Sequence, residues 1–151
     1  MIKRKYQDYS EYQNIVDKLK GRVVLVFNFD CVRDILLTME SELGVDATVL
    51  LTEFHKYENL KDYTYDEVLY CTLRLRDGGL IETVGTDLVG AVGRIPKVRG
   101  LTYTGHQLLD NIRDNSRWSK AKEKAASVGN VTLTMLGSIA ESYAKKALGL
   151  E

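Results

Sequence analysis

The chain has 151 residues, a formal net charge of zero from 21 basic and 21 acidic side chains, 44% hydrophobic residues and one proline. That is the length of one domain, or one domain with extensions, with ample apolar content for a core and too little proline for a linker-rich chain. The apolar run at residues 23–27 is far too short to span a bilayer, and the start MIKRKYQDYSEYQ is basic but turns polar at once, unlike a signal peptide.

In chain order, Ser10 can cap a helix over residues 11–20 that Gly21 closes, with Ile15, Val16 and Leu19 on its apolar face. Residues 22–27 are β-branched and hydrophobic, and read as an added strand or an extended lead into the next helix. Val32, Ile35, Leu36 and Met39 recur at helical spacing and predict a helix over 29–43, with Gly44 as its stop. A shorter helix is expected over 47–56 from Val49, Leu50 and Phe54. Thr64 and Glu67 have the spacing of a capping box and open a helix over 65–77. Val68, Leu69, Thr72, Leu73 and Leu75 form its apolar side, and Gly78-Gly79 ends it. Strands are expected over 80–84 and 98–102, around a tip with glycines at 85, 90 and 93. Beyond Thr104 comes a helix with Leu108, Leu109 and Ile112, then a break at residues 114–116. Trp118 and a lysine-rich helical stretch run to about residue 128, and Gly129-Asn130 is a turn signal. Thr132 can cap a last helix carrying Leu133, Leu136, Ile139, Tyr143 and Leu148.

Helix, stop, two-stranded wing and next helix is the grammar of a winged helix-turn-helix. The fold class expected is therefore α+β and mostly helical. Residues 1–28 form an N-terminal helical extension, 29–112 the winged-helix core, and 113–151 a C-terminal helical pair packed on that core. The pair is also a candidate homodimer arm.

Three motifs carry a resemblance. They are RDILL at Arg33 to Leu37, EVLYCTLRLRDGGLIE at Glu67 to Glu82, and LTxxGHxxLDxIRDxxxW at Leu101 to Trp118. The chain resembles, over about residues 29–148, an uncharacterised family of short winged-helix-like proteins from phages and prophages of low-GC Gram-positive bacteria. The resemblance implies a winged-helix-like fold and a mobile-element origin, and it brings no catalytic residues with it. Residues 1–27 depart from the family's usual short start.

Charge is uneven along the chain. Residues 30–67 hold ten acids against three bases, a local −7, whereas 113–124 hold five bases against two acids and the first 22 residues six against three. For nucleic acid, Tyr70 and Arg74 are the expected readers on the outward face of the 65–77 helix, together with Glu67. Arg94, Lys97 and Arg99 are the expected wing contacts. Glu58, Asp62, Asp66 and Glu67 oppose phosphate there, because affinity for DNA depends on neutralising phosphates. The first expectation is a non-catalytic regulator that binds duplex DNA in the bacterial cytoplasm. The alternative is a phage-encoded inhibitor, for example of the anti-CRISPR type, that binds a host protein through its acidic face and its tyrosines. Tyr6, Tyr9 and Tyr12 fall at three-residue spacing, and are read first as packing their own helix on the core.

No enzyme is expected. Asp30/Asp34 with Arg33, and Asp110/Asp114 with Arg113, read as surface ion pairs rather than metal or acid–base sites. Gly85, Gly90 and Gly93 have no helix directly after them and read as a flexible tip, not a phosphate cradle. His106 is expected to hydrogen-bond wing to helix, and His55 to face solvent. Cys31 and Cys71 lie in apolar helical patterns and read as buried reduced thiols. No CxxC or Cys/His cluster suggests zinc, and no cofactor or membrane contact is expected.

Overall fold

The computed structural model describes residues 27–85 and 97–150. The expected first helix, the 22–26 segment, the three N-terminal tyrosines, Gly90, Gly93 and Arg94 lie outside the described residues. The described elements are mostly helical, with one small antiparallel sheet of three strands. The chain divides into two units, Met1–Thr102 and Tyr103–Glu151.

In the first unit, helix α1 spans Phe29–Glu42. Asn28 caps it, its side-chain oxygen accepting from the backbone N–H of Asp30 and Cys31 at 3.0 and 3.2 Å. Val32, Ile35, Leu36 and Met39 are buried, as the periodicity predicts. The burial does not stop at that face. Asp30, Arg33 and Asp34 are also buried, and the Tyr63 hydroxyl donates to Asp34 Oδ2 at 2.6 Å. The surface ion pairs expected here are thus part of the interior, because α1 is covered nearly all round at its N-terminal half.

The helix expected over 47–56 is a correction. Val49–Leu50 form strand β1, and only Leu51–Phe54 are helical, as α2. β1 pairs antiparallel with the third strand, Val49 opposite Val98 and Leu50 opposite Lys97. A long-range ladder therefore overrides the local helical spacing, while Leu51 and Phe54 still turn fully inward. A 3-10 turn at Glu58–Leu60 buries Leu60 and leads into helix α3, Tyr65–Asp77.

At the ends of α3, the Thr64 half of the expected capping box and the glycine stop are both present. Thr64 Oγ1 accepts from the Glu67 N–H at 3.1 Å. At the other end Gly79, at φ 73°, donates to Arg76 O, and Leu80 N–H reaches back to Leu75 O at 3.0 Å. This is the two-bond Schellman stop, and its positive φ is why glycine stands at 79. The buried side is Val68, Cys71, Thr72 and Leu75, with Leu69 and Leu73 only half-buried.

Strands β2 (Ile81–Val84) and β3 (Lys97–Leu101) form the expected ribbon, and the sheet order is β1-β3-β2. The register slips between Glu82 and Thr83, which leaves Arg99 as the extra residue of β3. Thr102 closes the ribbon onto the helix stop, donating through Oγ1 to Gly79 O at 2.6 Å and through its N–H to Leu80 O at 3.1 Å.

Cys31 of α1 and Cys71 of α3 are free, buried and in hydrogen-bond contact, as the apolar patterns predicted for reduced thiols. That contact and burial push the Cys31 thiol well above its ordinary value of 9.0. The fold keeps the proton that the unfolded chain gives up. The Cys31 contribution to stability is therefore complete below about pH 9 and is lost as pH rises above it, at up to about 1.4 kcal/mol per pH unit. Urea midpoints measured between neutral and strongly alkaline pH should fall more steeply for the wild type than for Cys31→Ala. Parallel curves would rule this out.

The second unit holds helices α4 (Tyr103–Ile112), α5 (Asn115–Val128) and α6 (Leu133–Ala147), and α4 and α5 both pack on α6. Asp114 caps α5 by accepting from Arg117 N–H at 2.8 Å, and Thr132 caps α6 by accepting from Met135 N–H at 3.1 Å. Leu109, Ile112, Trp118, Ala121, Ala125, Leu133, Leu136 and Ala140 are buried. Gly137 allows α4 and α6 to approach closely, since an added Cβ would sit 2.8 Å from Leu108 Cδ1. Ile139 and Tyr143 are half-buried, and Leu148 is exposed beyond the helix end.

Candidate nucleic-acid interface

Tyr70 and Arg74 lie one turn apart on α3, so they share a face. The Arg74 guanidinium stacks over the Tyr70 ring, 5.4 Å from its centroid. Arg74 also pairs with Asp77, Nη2 to Oδ2 at 2.9 Å, and Asp77 takes a second contact from Arg76 at 3.2 Å. Arg74 and Asp77 are close to half-exposed, where an ion pair contributes only about 0–1 kcal/mol. A phosphate can therefore displace Asp77 from Arg74 at little cost.

Glu67 stands on the same helix face by its i, i+3, i+7 spacing, but its carboxylate turns to α1. It is half-buried, and its Oε1 accepts from Asn28 Nδ2 at 2.8 Å, which ties the start of α3 to the start of α1. Asp62 and Asp66 remain exposed, and Glu58 pairs with Lys61.

On the ribbon, Lys97 and Arg99 are both exposed on β3. Lys97 has Leu50 on one side and Val84 on the other, so it stands in the middle strand. Arg99 sits at the bulge with its Nε 3.9 Å from Glu82 Oε2. Arg94 lies outside the described residues. The four described candidates thus divide into two pairs: Tyr70 with Arg74 on one helix face, Lys97 with Arg99 on one strand.

The two histidines exchange their expected roles. His106 is exposed, and its side chain makes no hydrogen bond among the described residues. His55 is half-buried, its Nε2 lies 2.7 Å from Tyr63 O, and its ring meets Tyr65 edge-on. The cause is the break of the expected 47–56 helix, which turns His55 back toward the segment before α3. Asp110 and Arg113 do form the expected surface pair, at 2.6 Å. Among the described residues no group of three or more His, Cys, Asp or Glu is placed to hold a metal ion. None of the described helices is long and apolar enough to cross a membrane.

The family described as "Hypothetical protein (DUF2513)" matches residues 27–131. The chain belongs to this family. The match spans the whole of the first unit from Phe27 and continues through α4 and α5. An uncharacterized protein of Haemophilus influenzae is similar, 27% identical over 122 residues that cover 80% of this chain and 97% of the relative. No solved structure matches the chain. The DUF2513 match ends before α6, so Tyr143 and Lys146 lie past the shared span.

Proposed function

We propose that this DUF2513 protein is a non-catalytic, nucleic-acid-binding regulator on a winged helix-turn-helix scaffold, of phage or prophage origin and acting in the cytoplasm. The observation that carries the reading is the run α1, β1, α2, α3, β2, β3, closed by a β1-β3-β2 sheet, with Tyr70 and Arg74 at the surface of α3. In such a scaffold the third helix reads base edges and the ribbon meets the backbone. Tyr70 and Arg74 are then the readers, and Lys97, Arg99 and Arg94 the ribbon contacts. Retardation of duplex DNA should weaken with salt, and Arg74→Ala with Arg99→Ala should reduce it by roughly ten-fold or more. Asp77→Asn, which releases Arg74, should strengthen it. An unchanged affinity in both variants would remove the helix–ribbon face from the reading.

A second reading has its own observation. Residues 27–102 carry thirteen acids against eight bases, a net −5, and both described arginines of the candidate face already have acidic neighbours. The acids of this unit that remain exposed, among them Asp62 and Asp66, suit a basic protein partner, as expected of an inhibitor that occupies a host nucleic-acid cleft. No retardation at low salt, with a host nuclease or polymerase recovered from nuclease-treated lysate, would favour it.

A further inference from the structure

We infer that the α5–α6 pair carries a second anion site, a lysine groove that binds the sugar–phosphate backbone of nucleic acid without reading its sequence. The class of ligand rests on the regulator reading above, but the residues are different and belong to the second unit alone. An open groove of about 480 Å³ is lined by Lys120, Glu123, Lys124 and Ser127 of α5 and by Tyr143 of α6. The four α5 positions follow the i, i+3, i+4, i+7 spacing that puts them on one face.

Tyr143 organises the charge. Lys120 Nζ lies 5.8 Å from its ring centroid, and Lys146 Nζ lies 6.0 Å from it. Cation–π attraction draws ammonium groups from two helices to one ring. Lys120 and Lys124 line the groove itself, and Lys146 adds positive charge beside its Tyr143 wall.

Arg74 and Arg99 have acidic neighbours, whereas among the described residues none of Lys120, Lys124 and Lys146 forms an ion pair. The second unit as a whole has seven bases against five acids. Glu123 is the one acid on the groove and opposes an anion there. The Ser127 hydroxyl donates to the Lys124 carbonyl at 2.6 Å, so its proton is directed to the helix and not into the groove. Recognition is therefore by flexible point charges, which suit phosphates, and not by the planar fork that reads guanine. The open shape admits an extended strand.

The test uses the full chain and labelled duplex and single-stranded oligonucleotides of unrelated sequences, with affinity read by fluorescence anisotropy across a salt series. Wild-type affinity should be alike across sequences. The triple change Lys120→Ala, Lys124→Ala and Lys146→Ala should lower it roughly ten-fold or more and make the salt slope shallower by about 2–3, from about 0.9 per neutralised phosphate. Glu123→Gln should tighten binding, a readout that misfolding cannot imitate. Equal affinity and slope in the triple variant, with the wild-type melting curve, would overturn the inference. A loss confined to the Arg74 and Arg99 variant would overturn it too, while leaving the helix–ribbon reading intact. Loss in the lysine variant alone would do the reverse. Absence of any binding at low salt would end both.

Discussion

Trp118→Ala should destabilise the second unit by about 3–5 kcal/mol, the usual effect of deleting a buried aromatic side chain. Trp118 is 3% exposed, and the other buried side chains of the second unit are small or aliphatic, with Ala121 one turn further along α5. Three helices with few large buried side chains cannot collapse around so large a void. Small units also have little stability to lose. Far-UV circular dichroism should show a broadened transition at much lower temperature. Trp118→Phe, which keeps most of the apolar area, should recover most of the loss. Because the Lys122 ammonium lies 5.7 Å over the indole ring, part of the effect will be a freer α5 surface. A Trp118→Ala protein with an unchanged melting curve and no nucleic-acid binding would reassign Trp118 as a contact residue.

Phe54→Ala should be comparably costly, about 3–5 kcal/mol, and its damage should be local to one segment. Phe54 is fully buried, yet it stands on a helix of only four residues. A helix that short has no stability of its own, since nucleation costs more than its few bonds return. Leu51 and Phe54 are the side chains that anchor it, and β1 precedes it directly. Loss of Phe54 should therefore release the β1–β3 pairing as well as α2. Hydrogen exchange should show faster exchange at Val49 and Leu50 than at Ile81 to Val84. Uniform loss of protection across the sheet would mean that β1 and the ribbon form one cooperative unit.

Local signals were legible wherever the physics is local. The caps at Thr64 and Thr132 need only a hydroxyl beside the first free N–H groups. The stop at Gly79 needs only a residue that accepts positive φ. The ribbon is expected from the β-branched Ile81–Val84 run, a glycine-rich tip and the return at residues 98–102. At the candidate site, the i, i+4 spacing of Tyr70 and Arg74 put them on one face, and they stack there.

What failed did so through contacts far apart in sequence. Val49 and Leu50 fit a helix by spacing, but Val98 and Lys97 offered them a ladder. Asp30, Arg33 and Asp34 looked like solvated charges, because nothing near them in sequence announces the Tyr63 hydroxyl. Glu67 looked like half of a capping box, but its carboxylate meets Asn28, 39 residues away. The lysine groove had a partial signal, the 120, 123, 124, 127 spacing, but Tyr143 joins it only once α5 and α6 pack.

The amino-acid order alone therefore settled where most of the described helices begin and end, which periodic faces turn inward, and that acids outnumber bases most strongly over residues 30–67. Each of these is decided within about one helical turn or by composition. Only the folded chain decided that a third strand exists, that the charged N-terminal turn of α1 is interior, and which cations have acidic neighbours. Those outcomes depend on desolvation and on partners brought together by long loops, and a charge's cost or use is set by what surrounds it and not by its neighbours in the chain.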